Sequence, residues 1–497
     1  MKKRNLDGQI MQLCSTVLLY GCLLHKGFAL PVPYPTNGWE KSTPESQSMS
    51  SAGLKTAAEW MGSLAQPDAL LVVRGGFIVS ETYWGACKND SLHDMASTTK
   101  SIAALALAHA IEAGHFSTET KIADYFPALV SNDPNVSSVP LQLKHLLSMS
   151  GGANATYAHH SPAWVNGLRQ GPPGEVTSCT RDGLAKKPGS SFIYSFANPA
   201  IASGLLMKTT GMSYAQYLDT HLFPVLGINR TQWRWVGDRE GNSQPDGCSY
   251  HTAQNLAKLA YLLLREGRWQ VGKNGTEQQL LSRDWVAGCA SPTPKDWGAC
   301  PYYSHFMWRK DLNHGITHGG RKVPKDTFYT YGGGGQFAVV VPSLDLVVVI
   351  LYGAKPATFQ PPADVQSYKN NQFFPASSDE KILSLGTCCG GFRVDGVLSG
   401  CWNWSFSSTN TSSALTSNNS GESPMNIDIN TNININISNG ININNNTNIN
   451  INNNINSDSH GNIMYPGMPS CECTPQNTAP NDLLSQVMQR VVDAVID

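Results

Sequence analysis

Two pairs of short apolar runs lie far apart in this chain, and their separation constrains the fold more than any other feature. The first pair, residues 70–73 and 77–79, is joined through a Gly-containing turn. The second pair, residues 337–341 and 346–351, is joined through a short Pro-containing turn. Both pairs have the spacing of β-hairpins rather than of strand–helix–strand units. Hairpins imply an antiparallel sheet, so we predict that the late strands return to the early hairpin.

The residues between the two hairpins have helical patterns, with connections rich in Gly, Pro and Asn. An apolar run typical of a buried helix follows Ser97 and ends near Gly114. Further helical patches lie at residues 141–149, 200–225, 251–265 and 281–287. The pattern predicts an α+β fold, in which an antiparallel sheet is flanked by helices and accompanied by a mostly helical subdomain.

The N-terminus has the organisation of a secretory signal peptide. Basic residues at positions 2–4 precede an apolar stretch over residues 10–24, and residues 27–29 supply small side chains for cleavage. The stretch is about fifteen residues long, which is short for a membrane span. We therefore predict a signal peptide at residues 1–29, a secreted protein, and no stable membrane span after cleavage.

Cysteines and glycosylation sequons agree with a secreted chain. Two of the 12 cysteines, Cys14 and Cys22, lie in the predicted signal peptide, and the even number left favours disulfides whose pairing stays open. Zinc is the alternative, but no paired Cys-x-x-Cys units are present. Sequons outside the Asn-rich region predict a glycoprotein and occur at Asn89, Asn135, Asn154, Asn229 and Asn274.

Composition changes sharply toward the C-terminus. We predict a main domain at residues 37–367, a Cys-containing and Asn/Ile-rich insertion at 368–479, and a terminal helix at 480–497. Residues 426–456 are nearly all Asn and Ile and cannot build a packed core, although such a tract could pair between molecules. The terminal helix carries an apolar stripe that needs a surface to cover, so we expect it to complete the main domain. A free tail helix is the alternative.

Ser97 and Lys100 form a Ser-x-x-Lys unit at the start of the predicted buried helix. Residues three apart on a helix share a face, so the amine can reach the hydroxyl. The helix N-terminus and burial both lower the expected pKa of the lysine, and a neutral amine could take the serine proton. The same spacing recurs at Ser378 and Lys381, among acidic neighbours. The spacing alone is therefore weak, and an ordinary helix start is the alternative.

Two downstream segments supply further candidates. Tyr194 follows a Pro-Gly turn, and beside an amine its phenol could exchange protons with a serine, although a packed tyrosine is the alternative. The glycines at 332–335 precede Gln336 where a strand begins, and such a run marks a bend or a close backbone approach to a ligand. A backbone amide there could form an oxyanion hole together with the amide of Ser97.

Taken in order, these motifs resemble those of the serine β-lactamase-like (β-lactamase-related, penicillin-recognising) hydrolases. Within that family the similarity is greatest to esterases and 6-aminohexanoate-dimer hydrolases. The stretches that carry it are residues 72–76, 95–101, 143–151, Tyr194, 211–227 and 335–349. The resemblance implies a β-lactamase/transpeptidase-like fold for the main domain.

The resemblance also implies a role for each matching residue. Ser97 would be the acylated nucleophile, Lys100 its base partner, and Tyr194 the residue that passes the proton to the leaving group. Residues expected to bind the substrate or the oxyanion are Gly334, Gly335, Gln336 and Asn198. We expect the substrate to be a small-molecule ester or amide, and we expect neither cofactor nor metal.

Two departures from the family pattern bear on the substrate. Phe196 stands where many members have Asn two residues after the tyrosine, and Asn198 lies four after it. The third family motif is often Lys-Thr-Gly, but here it contains glycine only. This change removes a cation that holds a substrate carboxylate, unless Arg321, Lys322 or Lys325 replaces it. A neutral ester or amide therefore fits better than a β-lactam.

Other functional classes find less support. The formal net charge of −1, without a basic block, argues against a nucleic-acid partner. A metal hydrolase would need ligand clusters, and the pairs His159/His160 and His314/His318 lack acidic partners. The alternative that stays open is a secreted, catalytically silent relative that binds or scaffolds. Retention of the serine, lysine and tyrosine set argues against it.

Overall fold

The computed structural model describes part of the chain and divides it into two compact units. One unit comprises residues 1–401 and 469–497, and the other comprises residues 402–468. The described residues are 32–153, 175–180, 183–235, 242–245, 247, 249–272, 275–309, 312–313, 320–353, 392–394, 397–399, 456–457, 463–464 and 480–496. The predicted signal peptide, the Asn/Ile tract to residue 455 and the histidines at 159, 160, 314 and 318 lie outside them.

A seven-stranded antiparallel sheet forms the centre of the first unit, in the order β2-β1-β12-β11-β10-β9-β8. Its strands are β1 (Pro67–Arg74), β2 (Phe77–Tyr83), β8 (Tyr303–Ser304), β9 (Met307–Trp308), β10 (Phe328–Gly332), β11 (Gln336–Val341) and β12 (Leu346–Tyr352). The late strand β12 pairs with β1, with Leu71 opposite Val349. The predicted return of the late strands to the early hairpin is therefore confirmed.

The described residues also form smaller strand pairings. A three-stranded sheet has the order β3-β5-β4, and three two-stranded ladders pair β6 with β7, β13 with β14, and β15 with β16. Their bounds are β3 (His93–Asp94), β4 (Trp233–Trp235), β5 (Ser249–His251), β6 (Arg268–Val271), β7 (Thr276–Gln279), β13 (Phe392–Val394), β14 (Val397–Ser399), β15 (Asn456–Ser457) and β16 (Ile463–Met464). Only the last ladder belongs to the second unit.

Helices cover the main sheet and build the region between the hairpins. Their bounds are Ser51–Gly62, Thr98–Glu112, Pro134–Ser137, Leu143–Leu147, Glu175–Thr180, Ala197–Thr210, Tyr214–His221, Ala253–Leu264, Arg283–Ala290 and Pro480–Asp493. Strands β11 and β12 are buried at nearly every position, because the sheet is covered on both faces, and this explains their unbroken apolar sequences. The α+β fold class predicted from the sequence is confirmed.

The helix predicted over residues 200–225 is in fact two helices. The first ends at Gly211, which adopts a left-handed conformation (φ +73°) and donates its N–H to the carbonyl of Met207. Glycine adopts this conformation at little cost, so it terminates the helix. Ser213 then caps the second helix by accepting a hydrogen bond from the backbone N–H of Gln216.

The C-terminal helix packs inside the first unit. Leu484, Val487, Met488 and Val491 are fully buried. Beyond the last helical turn, the carbonyl of Ala494 accepts a hydrogen bond from Ser50 N at 2.7 Å. Near the other end of the helix, a Cβ added at Gly335 would lie 3.0 Å from Leu483 Cδ2 and 3.0 Å from Tyr352 Cβ. Leu483 and Tyr352, the last residue of β12, therefore both lie next to Gly335.

Two described cysteines depart from the expected disulfide framework. Cys87 and Cys289 are buried thiols without a disulfide bond. Burial raises the pKa of Cys87 to about 11 and also raises the pKa of Cys289. Both thiols are therefore protonated and inert at neutral pH. Among the described residues, no helix is long and apolar enough to cross a membrane.

Candidate active site

The loop before Ser97 is held in a strained conformation. Ala96 has a φ of +43°, a left-handed value that non-glycine residues rarely adopt. Its N–H donates to the Asp94 carboxylate at 2.8 Å, and the N–H of Met95 donates to the carbonyl of Ser249 on β5 at 2.9 Å. Such strain persists only where surrounding contacts enforce it, and it clusters at functional sites.

Two buried threonines fix the helix that starts at Ser97. Thr98 donates its hydroxyl to the carbonyl of Gln336 at 2.9 Å, and its Oγ1 lies 3.2 Å from Thr330 Oγ1. Thr99 Oγ1 lies 2.7 Å from Ser249 Oγ. The first turn of the helix is thereby tied to the main sheet on one side and to the small sheet on the other. Ser97 stands at the N-cap position of this helix.

Lys100 is completely buried, and its Nζ donates to Ser97 Oγ at 3.0 Å. The same nitrogen lies over two aromatic rings, 5.0 Å from the centroid of Tyr194 and 5.0 Å from that of Phe196. The structure thus brings together the serine, lysine and tyrosine that the sequence predicted. An amine at hydrogen-bond distance from a hydroxyl can take its proton, and a phenol whose ring adjoins that amine can take part in the transfer.

Tyr194 is half-buried in an aromatic wall that sequence reasoning missed. Its ring stacks on Trp308, with centroids 5.7 Å apart and planes at 26°, and meets the edge of Tyr303 at 5.8 Å. Trp308 lies on β9 and pairs with Tyr329 of β10, so the wall extends the edge of the main sheet. Strands of two residues are too short for a periodicity signal. The cluster of aromatic residues in the 302–308 segment was the available hint.

Asn198 forms hydrogen bonds within the protein that join two chain segments, and this differs from its expected role in substrate binding. Its side chain is 4% exposed. Its Oδ1 accepts from the N–H of Gly151 at 3.2 Å, and its Nδ2 donates to Ser195 Oγ at 2.9 Å. Ile193 N also donates to the carbonyl of Met149 at 2.8 Å. Asn198 therefore ties the segment that carries Tyr194 to the loop at residues 149–151.

The glycine tract forms the β10–β11 turn, and the predicted site residues Gly334, Gly335 and Gln336 lie in or next to this turn. Gly335 donates its N–H to the carbonyl of Gly332 at 3.1 Å, so this amide does not complete an oxyanion hole. Gln336 is 1% exposed, and its Nε2 donates to the carbonyl of Tyr352 at 2.8 Å. Gly334 (φ +88°) lies in the same turn. These expectations are corrected for Gly335 and the Gln336 side chain.

Gly332 is the glycine of the tract that faces the loop before Ser97, the predicted nucleophile; we call residues 95–96 the nucleophile loop. A Cβ at this position would overlap the carbonyl oxygen of Met95, two residues before Ser97. The absence of a side chain therefore lets β10 approach the loop closely. A run of four glycines could not reveal which member makes this contact, because the answer depends on the turn geometry.

The cations considered as replacements for the third-motif lysine lie at the far end of the sheet. Asp326, next to Lys325, accepts from the N–H of Ser343 at 2.7 Å in the turn after β11. That turn is about 20 Å from Gln336, the length of a six-residue strand. Arg321 N donates to the Asp493 carboxylate at 2.6 Å, at the distal end of the C-terminal helix. Since Lys322 lies between them in sequence, none of the three is placed to anchor a substrate at Ser97.

The fold and the cluster of Ser97, buried Lys100 and Tyr194 define a serine β-lactamase-like protein. The Beta-lactamase family profile matches residues 63–365, which is more than half of the chain. The chain therefore belongs to the Beta-lactamase family of hydrolases, as the ordered motifs predicted.

Two curated relatives are similar over parts of the chain. The 6-aminohexanoate-dimer hydrolase of Paenarthrobacter ureafaciens is 25% identical over 229 residues, which are 44% of this chain and 56% of that protein. The chain thus spans little more than half the length of that relative. An uncharacterized protein of Alkalihalophilus pseudofirmus is 26% identical over 328 residues, 60% of this chain and 88% of that protein.

Solved structures with a similar course of the chain include a family VIII carboxylesterase. Its TM-score is 0.48 at 14% identity, and the match covers 63% of this chain and 93% of the esterase. The octameric penicillin-binding protein homologue from Pyrococcus abyssi has a TM-score of 0.40 at 16% identity, covering 61% of this chain and 72% of that chain.

Proposed function

We propose that this protein is a serine hydrolase that cleaves small esters or amides through an acyl-enzyme on Ser97. The observation that carries the proposal is the 3.0 Å contact from Lys100 Nζ to Ser97 Oγ at the start of a buried helix. A serine hydroxyl is a weak nucleophile and needs an adjacent base. Here the buried amine of Lys100 occupies the position of the base. The ring that carries the Tyr194 phenol lies beside this amine.

Acylation follows from this arrangement. The Ser97 oxygen attacks the substrate carbonyl carbon while its proton passes to the uncharged amine of Lys100. The tetrahedral oxyanion is stabilised by the positive end of the helix that begins at Ser97. The bond from carbon to the leaving oxygen or nitrogen then breaks. Tyr194 delivers a proton to that atom and is reprotonated by Lys100, so the amine returns to its neutral form.

Deacylation repeats the same chemistry with water. A water molecule loses a proton to the lysine–tyrosine pair, and its oxygen attacks the acyl carbon. The bond to Ser97 Oγ breaks, the serine oxygen recovers a proton, and a carboxylic acid leaves. One ester or amide and one water are consumed in each cycle, and the enzyme needs no external oxidant or reductant.

The substrate we propose is uncharged at the position where β-lactams carry a carboxylate. Arg321 and Lys325 belong to the distal end of the sheet, and the tract beside the nucleophile loop contributes glycines. Aromatic rings of Tyr194 and Trp308 line one side of the cluster and offer apolar surface. The relative that hydrolyses the 6-aminohexanoate dimer supports an amide as well as an ester.

A fluorophosphonate probe tests the proposal directly. We expect covalent labelling of the full chain at Ser97, together with hydrolysis of p-nitrophenyl butyrate, and loss of both in Ser97→Ala. Ser101→Ala is the matched control, because Ser101 lies one turn further along the same helix and donates to the carbonyl of Phe306 at 2.6 Å. Unlabelled wild type without ester turnover would favour the silent binding protein instead.

We also propose that the protein enters the secretory pathway. The described sequon residues Asn89, Asn135 and Asn229 are all exposed, as glycan attachment requires. Expression in a eukaryotic host should yield secreted protein that begins near residue 30 and loses mass on treatment with an N-glycosidase. Retention of residues 1–29 in a cell-associated protein would contradict this route.

A further inference from the structure

Phe196 occupies a position that gives it direct influence on Lys100. Its ring centroid lies 5.0 Å from Lys100 Nζ, the same distance as that of Tyr194. Lys100 itself is fully buried, so both rings lie beside an amine that has no contact with bulk water. The position is also where the sequence departs from the family pattern, with a phenyl ring in place of a carboxamide.

An aromatic face attracts a cation within about 6 Å of its centroid, and the attraction grows when water is excluded. Lys100 becomes a cation each time it accepts the Ser97 proton during acyl transfer. Burial opposes that charge. The face of an aromatic ring at this distance offsets the cost of burying the ammonium. It does not compete for the hydrogen bond between the amine and Ser97.

We propose that Phe196 is a positioning residue that holds the Lys100 amine against Ser97 and stabilises the ammonium formed during acyl transfer. This inference rests on the proposed function, because it assumes that Lys100 takes the Ser97 proton. Among the described contacts of the amine, the ionisable groups are the Ser97 hydroxyl on its own helix and the Tyr194 phenol, whose ring belongs to the neighbouring segment. Phe196 adds an uncharged aromatic ring to these contacts.

The test is the pH dependence of kcat/KM for p-nitrophenyl butyrate. In Phe196→Leu the apolar surroundings remain but the ring face is lost, so the ammonium is less stable. We expect the acidic limb of the profile to move to lower pH by about 0.5 to 1 unit, and the plateau to fall by about three- to tenfold. Phe196→Tyr keeps a ring and should restore both features.

Phe126→Leu is the matched control. Its ring also lies 5.0 Å from a lysine nitrogen, that of Lys208, but in a pair remote from Ser97. The substitution removes the same atoms and should leave the acidic limb where it is. Thermal unfolding of each variant establishes that the folded fraction is intact at the assay temperature.

The outcomes separate the two proposals. A wild-type enzyme without Ser97-dependent turnover refutes the proposed function. An active wild type whose acidic limb stays in place, or moves upward, in Phe196→Leu refutes the role of Phe196 alone. An equal limb shift in Phe196→Tyr or in Phe126→Leu would also overturn it, because the effect would then not depend on a ring beside Lys100.

Discussion

At the scale of single residues, two buried lysines differ in what their amines contact. Lys100 donates to the Ser97 hydroxyl, whereas Lys258 donates to the carbonyl of Gly227 at 2.8 Å. Burial lowers the pKa of Lys258 to about 8. Both amines are thus removed from water, but of the two only Lys100 adjoins the hydroxyl that we propose as the nucleophile.

Lys100→Met should abolish acylation without unfolding the protein. Methionine has a similar length and no amine, so we expect the rate of fluorophosphonate labelling to fall by about 10²- to 10⁴-fold, the usual contribution of a general base. The melting temperature should stay the same or rise, because a buried polar amine is replaced by an apolar group. Lys258→Met is the control and should label at the wild-type rate; equal losses in the two variants would argue for a structural role.

How well the sequence predicts a contact in the site depends on how far apart in the sequence the two residues lie. The proximity of Ser97 and Lys100 follows from helical periodicity within one turn. The meeting of Tyr194 with this pair was expected from motif order. The bonds of Asn198 to Gly151 and Ser195 join separate segments, and residue types alone could not distinguish them from a ligand contact.

At the scale of elements, the close approach of β10 to the nucleophile loop depends on Gly332. Thr98 ties the helix start to the same strand pair, through the Gln336 carbonyl and the Thr330 hydroxyl. The strained Ala96 lies between these attachments and β3. A displacement of β10 would therefore be transmitted to Ser97 itself.

Gly332→Ala should impair the site more than the fold. The added methyl group would overlap the Met95 carbonyl oxygen, which is backbone and cannot rotate away. We expect at least a tenfold loss in labelling rate per folded molecule. Gly53→Ala is the control, since its Cβ would lie 2.7 Å from Ala494 Cβ, remote from Ser97. That variant should lower the melting temperature and leave the labelling rate unchanged.

The pairing of β1 with β12 was predictable because both strands are long apolar runs with turn signals at their ends. The β8–β9 hairpin was not predicted, although it carries Trp308 and Tyr303. Its tip residues, His305 and Phe306, both have φ of +56°, values that sequence preference would assign to glycine or asparagine. Tertiary packing has overridden local preference there: both side chains are buried.

At the scale of the whole molecule, buried neutral histidines make stability depend on pH. Burial lowers the pKa of His145 to about 4, and those of His251 and His305 to about 3. In the unfolded chain these groups titrate near about 6.5. Between these values the unfolded state binds more protons, so stability rises with pH and is lost as pH falls below about 6.5.

His251→Leu should weaken this dependence. Both ring nitrogens of His251 are fully buried and have no hydrogen-bond partner among the residues that the structure describes. We expect the melting temperature of the variant to exceed that of wild type at pH 5, with the difference shrinking toward pH 8. A constant difference across the range would show that packing against Phe223, and not protonation, governs the effect.

Replacement of residues 368–479, the predicted insertion, by a short Gly/Ser linker should leave the hydrolase domain intact. The C-terminal helix is buried in the same unit as the main sheet and must be kept. We expect the shortened protein to label at Ser97 at the wild-type rate and to unfold in a single transition. A further variant, Val487→Asp in the shortened chain, should fail to fold, because it places a charge on the buried face of that helix.

The meeting of Tyr352 and Leu483 at Gly335 has a consequence for how this gene can change. The chain therefore leaves the domain after Tyr352 and returns to it before Leu483 at nearly the same point. The two ends of the intervening segment lie close together. Doubling the length of such a loop costs only about 0.6 kcal/mol in closure entropy. Codons for the Asn/Ile repeat can therefore be gained or lost between generations with little penalty to the hydrolase, and selection on the enzyme would not fix their number.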